Sequence, residues 1–294
     1  MASENTIIIG TRGSALALWQ TNWVAGRLRD AHPGLDIEIK TINTRGDATQ
    51  AANVPLSSFG EKGIFAKELE EALLAGDVDI AVHSMKDLAH TLPEGLCIGA
   101  VPPREHSGDA LVGCTLDALP QGARVGTGSV RRRALFAERR PDLQLLECRG
   151  NVDSRLRKLD EGQYDAICLA VAGLRRLGLG HRITEVLDPL WFIPDPGQGA
   201  LAIEARTDDE RVFGLLRRID DLGASTTTRA ERAFLAAVGG SCQMPIGAHA
   251  TLIGQRVLLR VMLAEDGKTR RAEVMGGMDE AEALGKRAAD EFIR

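Results

Sequence analysis

The first two thirds of the chain alternate short apolar runs with segments whose apolar residues recur every three to four positions. Short apolar runs are typical of buried strands, and the longer spacing is typical of helices. The runs predict strands over residues 6–9, 35–42, 79–84, 96–101, 109–113, 124–128, 143–148, 164–170 and 199–205. Ser14 and Ser129 are expected to cap helices, and Gly76 is expected to end one. This alternation predicts α/β domains with mostly parallel sheets.

After Gly223 the order changes to a helix, three strands and a last helix, over residues 225–238, 248–253, 257–263, 269–275 and 279–292. This order predicts a small α+β domain with a core of its own. We therefore expect three domains. The first is discontinuous, and the predicted bounds are 1–100 with 198–221, then 105–194, then 223–294.

The composition of the 294 residues, 44% hydrophobic and 26% charged, is typical of a soluble globular protein. No apolar run approaches the roughly 20 residues that a membrane helix needs. Residues 1–5 lack the basic and apolar segments of a secretory signal. We therefore expect a cytoplasmic protein that does not associate with a membrane.

The five cysteines are odd in number and form no C-x-x-C pair, which disfavours both a disulfide framework and a zinc site. Four of them lie in apolar runs and are expected to be small buried side chains. Cys242 instead lies in Gly-Gly-Ser-Cys-Gln-Met-Pro, a loop composition. A loop thiol can be exposed and reactive.

The net charge of −5 disfavours general nucleic-acid binding, but the charge is unevenly distributed. Residues 131–158 contain nine basic and four acidic side chains, a local excess of five positive charges. Three turns that join a strand to a helix also carry arginine or hydroxyl groups, at residues 11–14, 126–132 and 149–151. Helix N-termini and arginines both bind carboxylates and phosphates. Each turn alone is also ordinary scaffold, but together they predict a site for a small polyanion.

His83-Ser84-Met85-Lys86-Asp87 follows an apolar strand, at the end where open α/β sheets place ligands. A held carboxylate at Asp87 could protonate a leaving amine or balance a developing cation. A strand-end salt bridge explains Asp87 and Lys86 equally well, and His83 is expected to be structural. The loop over residues 59–65 is compatible with a lid or with a simple connector.

These motifs together resemble those of the porphobilinogen deaminase family, in order and over nearly the whole chain. The segments that carry the resemblance are residues 11–20, 44–47, 61–70, 79–87, 125–132, 149–156, 169–178, 196–200 and 239–247. The most specific are Ala-Val-His-Ser-Met-Lys-Asp, at 81–87, and Cys-Gln-Met-Pro-Ile-Gly, at 242–247.

The resemblance implies two domains like type 2 periplasmic binding proteins with a cleft between them, and a small α+β C-terminal domain. It implies a monomeric transferase that condenses four porphobilinogen molecules, with loss of ammonia, on a dipyrromethane cofactor, and then releases hydroxymethylbilane. That cofactor would be made from two substrate molecules and bonded to Cys242. Neither a metal nor a nucleotide is needed for this chemistry.

The resemblance also implies roles for individual residues. Asp87 would be the catalytic carboxylate, which assists loss of ammonia and stabilises the cationic azafulvene that results. The implied cofactor-binding residues are Cys242, Lys86, Thr127, Ser129, Arg131, Arg132 and Arg155. The implied substrate-binding residues are Arg12, Ser14, Arg149, Arg176 and Gln198. Lys62 and Phe65 would belong to a lid loop.

Some positions differ from the pattern expected of that family. Residues 104–110 lack an Asp-Pro-Arg sequence, so a cationic contact is expected to be missing there. Ala89, Gly128, Asp153 and Ser241 also replace commoner residues. We expect these changes to affect rate and affinity more than the type of reaction.

Three other hypotheses compete with this one. A carboxylate-binding module with the same two lobes would form no covalent adduct and would not need Asp87. An inactive relative is disfavoured because both Cys242 and Asp87 are retained. A thiol-dependent hydrolase would need a histidine partner for Cys242, which the sequence does not place.

Overall fold

A computed structural model describes residues 5–44, 66–240 and 244–293 of the chain. The chain divides into two compact units. Unit 1 comprises Met1–Ala52, Glu61–Arg104 and Ala200–Ser225, and unit 2 comprises Asn53–Gly60, Glu105–Gly199 and Thr226–Arg294. Unit 2 thus contains most of both the second and the third predicted domains, and the division into three domains stays a prediction.

The described strands are β1 (Thr6–Thr11), β2 (Asp36–Thr41), β3 (Ile80–Ser84), β4 (Leu96–Ala100), β5 (Asp109–Val112), β6 (Arg124–Gly126), β7 (Gln144–Leu146), β8 (Ala166–Ala170), β9 (Glu185–Val186), β10 (Leu201–Arg206), β11 (Ile246–Ile253), β12 (Arg256–Glu265) and β13 (Lys268–Gly277). The described α-helices are α1 (Ala15–Ala31), α2 (Lys67–Leu74), α3 (Val130–Arg139), α4 (Val152–Asp160), α5 (Val171–Arg176), α6 (Glu210–Leu216), α7 (Leu222–Ala237) and α8 (Ala281–Ile293). Short 3-10 turns lie at Met85–Asp87, Gly180–Arg182 and Met278–Glu280. None of the described helices is both long and apolar enough to cross a bilayer.

Both units contain a five-stranded sheet with the same kind of strand order. In unit 1 the order is β2-β1-β3-β10-β4, and in unit 2 it is β7-β6-β8-β5-β9. Three neighbouring strands in each sheet are parallel, and the fourth, β10 or β5, runs antiparallel to both of its neighbours. Four strands of each sheet therefore point one way and one points the other way.

The core of unit 1 forms where β1, β3 and β10 meet α1 and α6. Ile7, Ile9, Val24, Ile80 and Ile203 belong to one buried apolar cluster. Alternate residues of a strand face opposite sides of its sheet, so helices on both sides are needed to cover a sheet this apolar.

The C-terminal part of unit 2 is an antiparallel sheet of β11, β12 and β13 against α7 and α8. It shares a core with the larger sheet of the same unit, because Met262 packs in one cluster with Leu135 and Phe192. The buried carboxylate of Glu231 adds a polar link within the unit. It accepts hydrogen bonds from the Gly197 N–H at 2.7 Å and the Ala250 N–H at 2.8 Å.

The structure confirms the predicted fold class as two α/β sheets with a small α+β part at the C-terminus, and most elements lie within a few residues of their predicted bounds. Ser14 and Ser129 cap α1 and α3 as expected, accepting from the Ala17 and Arg132 N–H groups. The reversed strands β5 and β10 were not predicted. Hydrophobic periodicity reports burial and contains no information on strand direction.

A cluster of ionisable side chains is buried in unit 1. His83 on β3 and Glu204 on β10 are both buried, and His83 Nε2 lies 3.1 Å from Glu204 Oε2. Glu70 on α2 is partly buried near this pair. Burial and the negative charge of Glu204 raise the pKa of Glu70 from 4.5 to about 7. His83 is thus buried on β3 in the sheet of unit 1.

Glu70→Gln is expected to change how stability depends on pH. The folded state binds the Glu70 proton more tightly than the unfolded state does, so wild-type stability from this group falls as pH rises from 4.5 to about 7. Glutamine does not titrate. Because Glu70 is partly exposed, the effect is reduced by solvent screening. Between pH 5 and pH 8, the free energy of unfolding of the variant should rise by about 1 kcal/mol relative to that of wild type. Urea unfolding at several pH values measures this difference.

Glu38→Gln is the matched control, because Glu38 is an exposed carboxylate on β2 of the same unit. Its difference from wild type should stay constant over the same pH range. A constant difference for Glu70→Gln as well would mean that the Glu70 proton is not held more tightly on folding.

Candidate functional site

A pocket in unit 1 lies where β1 and β3 end. Its polar lining comes from the end of β3, from the turns that follow β1 and β3, and from α1: Arg12, Ser14, Gln20, His83, Ser84 and Asp87. Because β1 and β3 are parallel neighbours, their carboxyl ends lie side by side and bring these two turns together. The structure therefore places three of the predicted site residues, Arg12, Ser14 and Asp87, around one pocket.

Local packing fixes the turn that carries Asp87. The 3-10 turn Met85–Asp87 has Met85 almost fully buried, and the following Leu88 is buried as well. Two apolar anchors on either side leave Lys86 and Asp87 partly exposed. Gln20 Nε2 of α1 donates to Ser84 Oγ at 2.8 Å, which ties the helix to the end of β3 just before this turn.

The turn between β6 and α3 in unit 2 is stabilised by its own hydroxyl groups. The buried Thr127 Oγ1 accepts from the Ser129 N–H at 3.2 Å, and Ser129 Oγ accepts from the Arg132 N–H at 3.4 Å. Both hydroxyls thus satisfy backbone donors at the start of the helix, which shapes the turn.

Arg131 and Arg132 are 3% and 5% exposed, and both are paired with Asp109 at the start of β5. Arg132 donates to Asp109 Oδ1 from Nε at 3.0 Å and from Nη2 at 2.6 Å, and to the Cys168 carbonyl from Nη1 at 2.8 Å. Arg131 Nη2 lies 2.9 Å from Asp109 Oδ2, and Nη1 donates to the Ile193 carbonyl at 2.8 Å. Burial opposes the charged form of Arg132. The charge and hydrogen bonds of Asp109, together with Cys168 and Asp195, outweigh burial and raise the pKa of Arg132.

Gln198 belongs to the same network. Its side chain is fully buried, and its Nε2 donates to Asp109 Oδ1 at 2.9 Å and to the Ser107 carbonyl at 2.7 Å. The predicted substrate-binding residue thus contacts the carboxylate that holds Arg132. Its predicted contact with substrate stays a prediction.

Arg149 and Arg155 lie on either side of the turn between β7 and α4. Arg149 Nε donates to Glu147 Oε1 at 2.5 Å, so part of its charge is balanced. Arg155 Nε donates to the Gly150 carbonyl at 2.7 Å, and the described residues include no carboxylate within 4.0 Å of it. Burial and the neighbouring positive charges of Arg132 and Arg149 lower the pKa of Arg155. The negative charge of Glu147 opposes this shift without cancelling it, and Arg155 lacks a carboxylate in direct contact among the described residues.

Arg176, at the end of α5, is buried and donates from Nη2 to the Gly199 carbonyl at 2.7 Å. Burial lowers the pKa of Arg176 to about 10. Gly199 has a φ of +86°, and a Cβ at this position would lie 2.4 Å from the Glu105 carbonyl oxygen. The position therefore requires glycine.

The segment over residues 104–110, where a cationic contact was expected to be missing, contains an ion pair of its own. Glu105 Oε1 accepts from Arg175 Nη1 at 2.9 Å. That pair and the backbone hydrogen bond from His106 lower the pKa of Glu105, although burial acts in the opposite direction.

Three predicted site residues lie outside the described part of the chain: Lys62, Phe65 and Cys242. Asp109 and Glu147, which organise the arginines of unit 2, were not predicted. Asp109 offered one signal, an acidic residue at the head of an apolar run. In the described residues, no group of three or more His, Cys, Asp or Glu side chains could hold a metal ion.

The chain has weak similarity to several solved structures. The VFT2 domain of BvgS from Bordetella pertussis is 16% identical with a TM-score of 0.42, covering 74% of this chain and 88% of that one. YhfZ from Shigella flexneri is 17% identical with a TM-score of 0.38, covering 79% and 90%.

Similarity to curated proteins is much stronger. A porphobilinogen deaminase of Roseiflexus sp. (strain RS-1) is 51% identical over 294 residues, which are 99% of this chain and 96% of that protein. The porphobilinogen deaminase of Stenotrophomonas maltophilia is 48% identical, covering 97% and 95%. That of Syntrophotalea carbinolica is 45% identical, covering 99% and 93%.

Two family models match consecutive parts of the chain. Residues 7–213 match "Porphobilinogen deaminase, dipyromethane cofactor binding domain", and residues 225–294 match "Porphobilinogen deaminase, C-terminal domain". With these matches and relatives about half identical over nearly their full length, the chain belongs to the porphobilinogen deaminase family.

Proposed function

We propose that Asp87 is the acid–base residue of this chain and that Cys242 carries its dipyrromethane primer. The chain is a transferase that joins four porphobilinogen molecules head to tail, with loss of ammonia, and releases hydroxymethylbilane. The residue roles within that reaction, a monomeric state and a cytoplasmic location are our proposals. The observation that supports the role of Asp87 is the pocket that it lines together with Arg12 and Ser14. The observation that supports a carboxylate ligand in unit 2 is Arg155, which lacks a carboxylate partner among the described residues.

The cations of unit 2 suit a ligand rich in carboxylates. Each pyrrole unit brings two carboxylates, so a growing chain needs several positive contacts. A bound carboxylate would supply the counter-charge that Arg155 lacks and would compensate the burial of Arg176. Arg149, Arg131 and Arg132 would add charge around the ligand. The residues present thus fit the cofactor that the family implies.

The polar groups of the unit 1 pocket suit the reacting end of the substrate. When bound, the primer would supply a pyrrole carbon that forms the new bond and a covalent anchor on the protein. Arg12 and Ser14 would orient a substrate carboxylate in the pocket that Asp87 lines. The Asp87 carboxyl would give its proton to the departing amine nitrogen, and the resulting carboxylate would balance the positive charge left on the pyrrole.

The covalent primer is tested by the intact mass of the denatured protein. We expect an excess of two pyrrole units in the wild-type protein and none in Cys242→Ser, because the variant lacks the thiol. The four other cysteines provide the matched control, and Cys114→Ser should keep the full excess.

If wild-type protein stayed unmodified even after incubation with porphobilinogen, the proposed role of Cys242 would be refuted. The hypothesis of a binding module, which needs no covalent adduct, would then be favoured.

Asp87→Asn should reduce turnover by about 10²–10⁴-fold, since an amide cannot take over the proton transfer of a carboxyl group. The fold should persist because the side chain is partly exposed, between the buried anchors Met85 and Leu88. Ammonia release per enzyme molecule and the thermal unfolding midpoint measure the two effects. Asp36→Asn, an exposed position on β2, should leave both unchanged. Turnover near wild type in Asp87→Asn would remove this residue from the mechanism.

Arg155→Gln should weaken porphobilinogen binding about tenfold, because it removes one charge-assisted contact. Arg157→Gln is the matched control, two residues along the same helix and exposed. The half-saturating porphobilinogen concentration should rise in the first variant and stay unchanged in the second. Equal values in both variants would make Arg155 a structural residue of its turn.

A further inference from the structure

We infer that Asp109 is the positioning residue that holds Arg131 and Arg132 at the binding site. This inference rests on the proposed function, in which these arginines contact the carboxylates of the cofactor. Asp109 is fully buried at the first position of β5, and both of its carboxylate oxygens lie within 3.0 Å of a guanidinium nitrogen. It is the group that the two arginines share.

A carboxylate at this position must be compensated. Strand β5 lies inside the sheet, between β8 and β9, where an ionised group without partners would be strongly destabilising. The two arginines and the Gln198 amide provide that compensation. The dependence is mutual, because each arginine is itself almost fully buried.

The two arginines also need Asp109 because of where they lie in their helix. They occupy the first turn of α3, which contains no acidic residue. The N-terminus of a helix carries partial positive charge and disfavours cations. Two neighbouring guanidinium groups repel each other in addition. Asp109 offsets both effects at a distance of 2.6–3.0 Å.

The network retains one net positive charge, from two arginines and one aspartate. The donors already used point to Asp109 and to the Ile193 and Cys168 carbonyls. Arg131 Nε is buried and has no hydrogen-bond partner among the described residues. A ligand carboxylate would therefore meet a fixed, partly neutralised pair of arginines. Asp109 sets both the direction and the strength of that attraction.

A purely structural ion pair and a positioning residue predict different results. If Asp109 only stabilised the core, Asp109→Asn would lower the unfolding midpoint, but the protein that folds would bind porphobilinogen normally. If Asp109 positions the arginines, folded Asp109→Asn would also bind poorly. Covalent loading of apo-protein, followed by intact mass at several porphobilinogen concentrations, separates the two.

We expect Asp109→Asn to raise the half-saturating porphobilinogen concentration for loading at least about tenfold, the loss expected for a misplaced charged contact. Asp109→Glu restores the charge on a longer side chain and should give an intermediate value, at least threefold above wild type. Because Asp109→Asn risks misfolding, Asp109→Glu provides an independent test. Wild-type loading in either folded variant would overturn the inference.

Asp165→Asn is the matched control. Asp165 accepts from Arg124 Nε at 3.2 Å and Nη2 at 2.8 Å, a two-point aspartate–arginine pair in the same unit. Its loss should leave loading unchanged. If wild-type protein and this control do not load at all, the proposed function itself fails. If they load and either folded Asp109 variant loads as well as wild type, only the role of Asp109 fails.

Discussion

The ion pairs between Asp109 and two arginines of α3 are the interaction on which the cationic site of unit 2 depends. They join the reversed strand β5 to the helix that follows β6, and Gln198 adds a third side chain from the segment before β10. Breaking a buried pair leaves an uncompensated charge, which costs much more than the pair itself contributes. Such a network is therefore sensitive to change at any of its members.

Both units place their polar turns at equivalent positions. Polar turns follow the carboxyl ends of parallel strands, after β1 and β3 in one unit and after β6 and β7 in the other. In three of these four turns a side chain caps the helix that follows, as Ser14, Ser129 and Asn151 do. Capping uses an oxygen lone pair as the acceptor, so the hydroxyl hydrogens of Ser14 and Ser129 can still donate to a ligand carboxylate.

Much of this could be predicted from sequence because it is local. A capping side chain and the backbone N–H that donates to it are three residues apart, and a strand or helix shows its period within one segment. The pairs that define the site are not local. Asp109 lies 23 residues from Arg132 and 89 from Gln198, and Glu204 meets His83 only because β10 returns to lie beside β3. Hydrophobic periodicity does not show that β10 pairs with β3. The family resemblance indicates which residues bind ligand, but not which residues support them.

The arginines predicted as equivalent fall into two groups once their partners are known. Arg131 and Arg132 are neutralised in part by a buried carboxylate, whereas Arg155 and Arg176 donate to backbone carbonyls. Their pKa values are lowered because burial outweighs the opposing negative charges of Glu147 and Glu105. A backbone carbonyl accepts a hydrogen bond from the guanidinium group but does not neutralise its positive charge. The second group therefore gains most when a carboxylate binds, and the first group gains least. In a site of this kind, Arg131 and Arg132 fix the shape, and Arg155 and Arg176 contribute most of the affinity for a carboxylate.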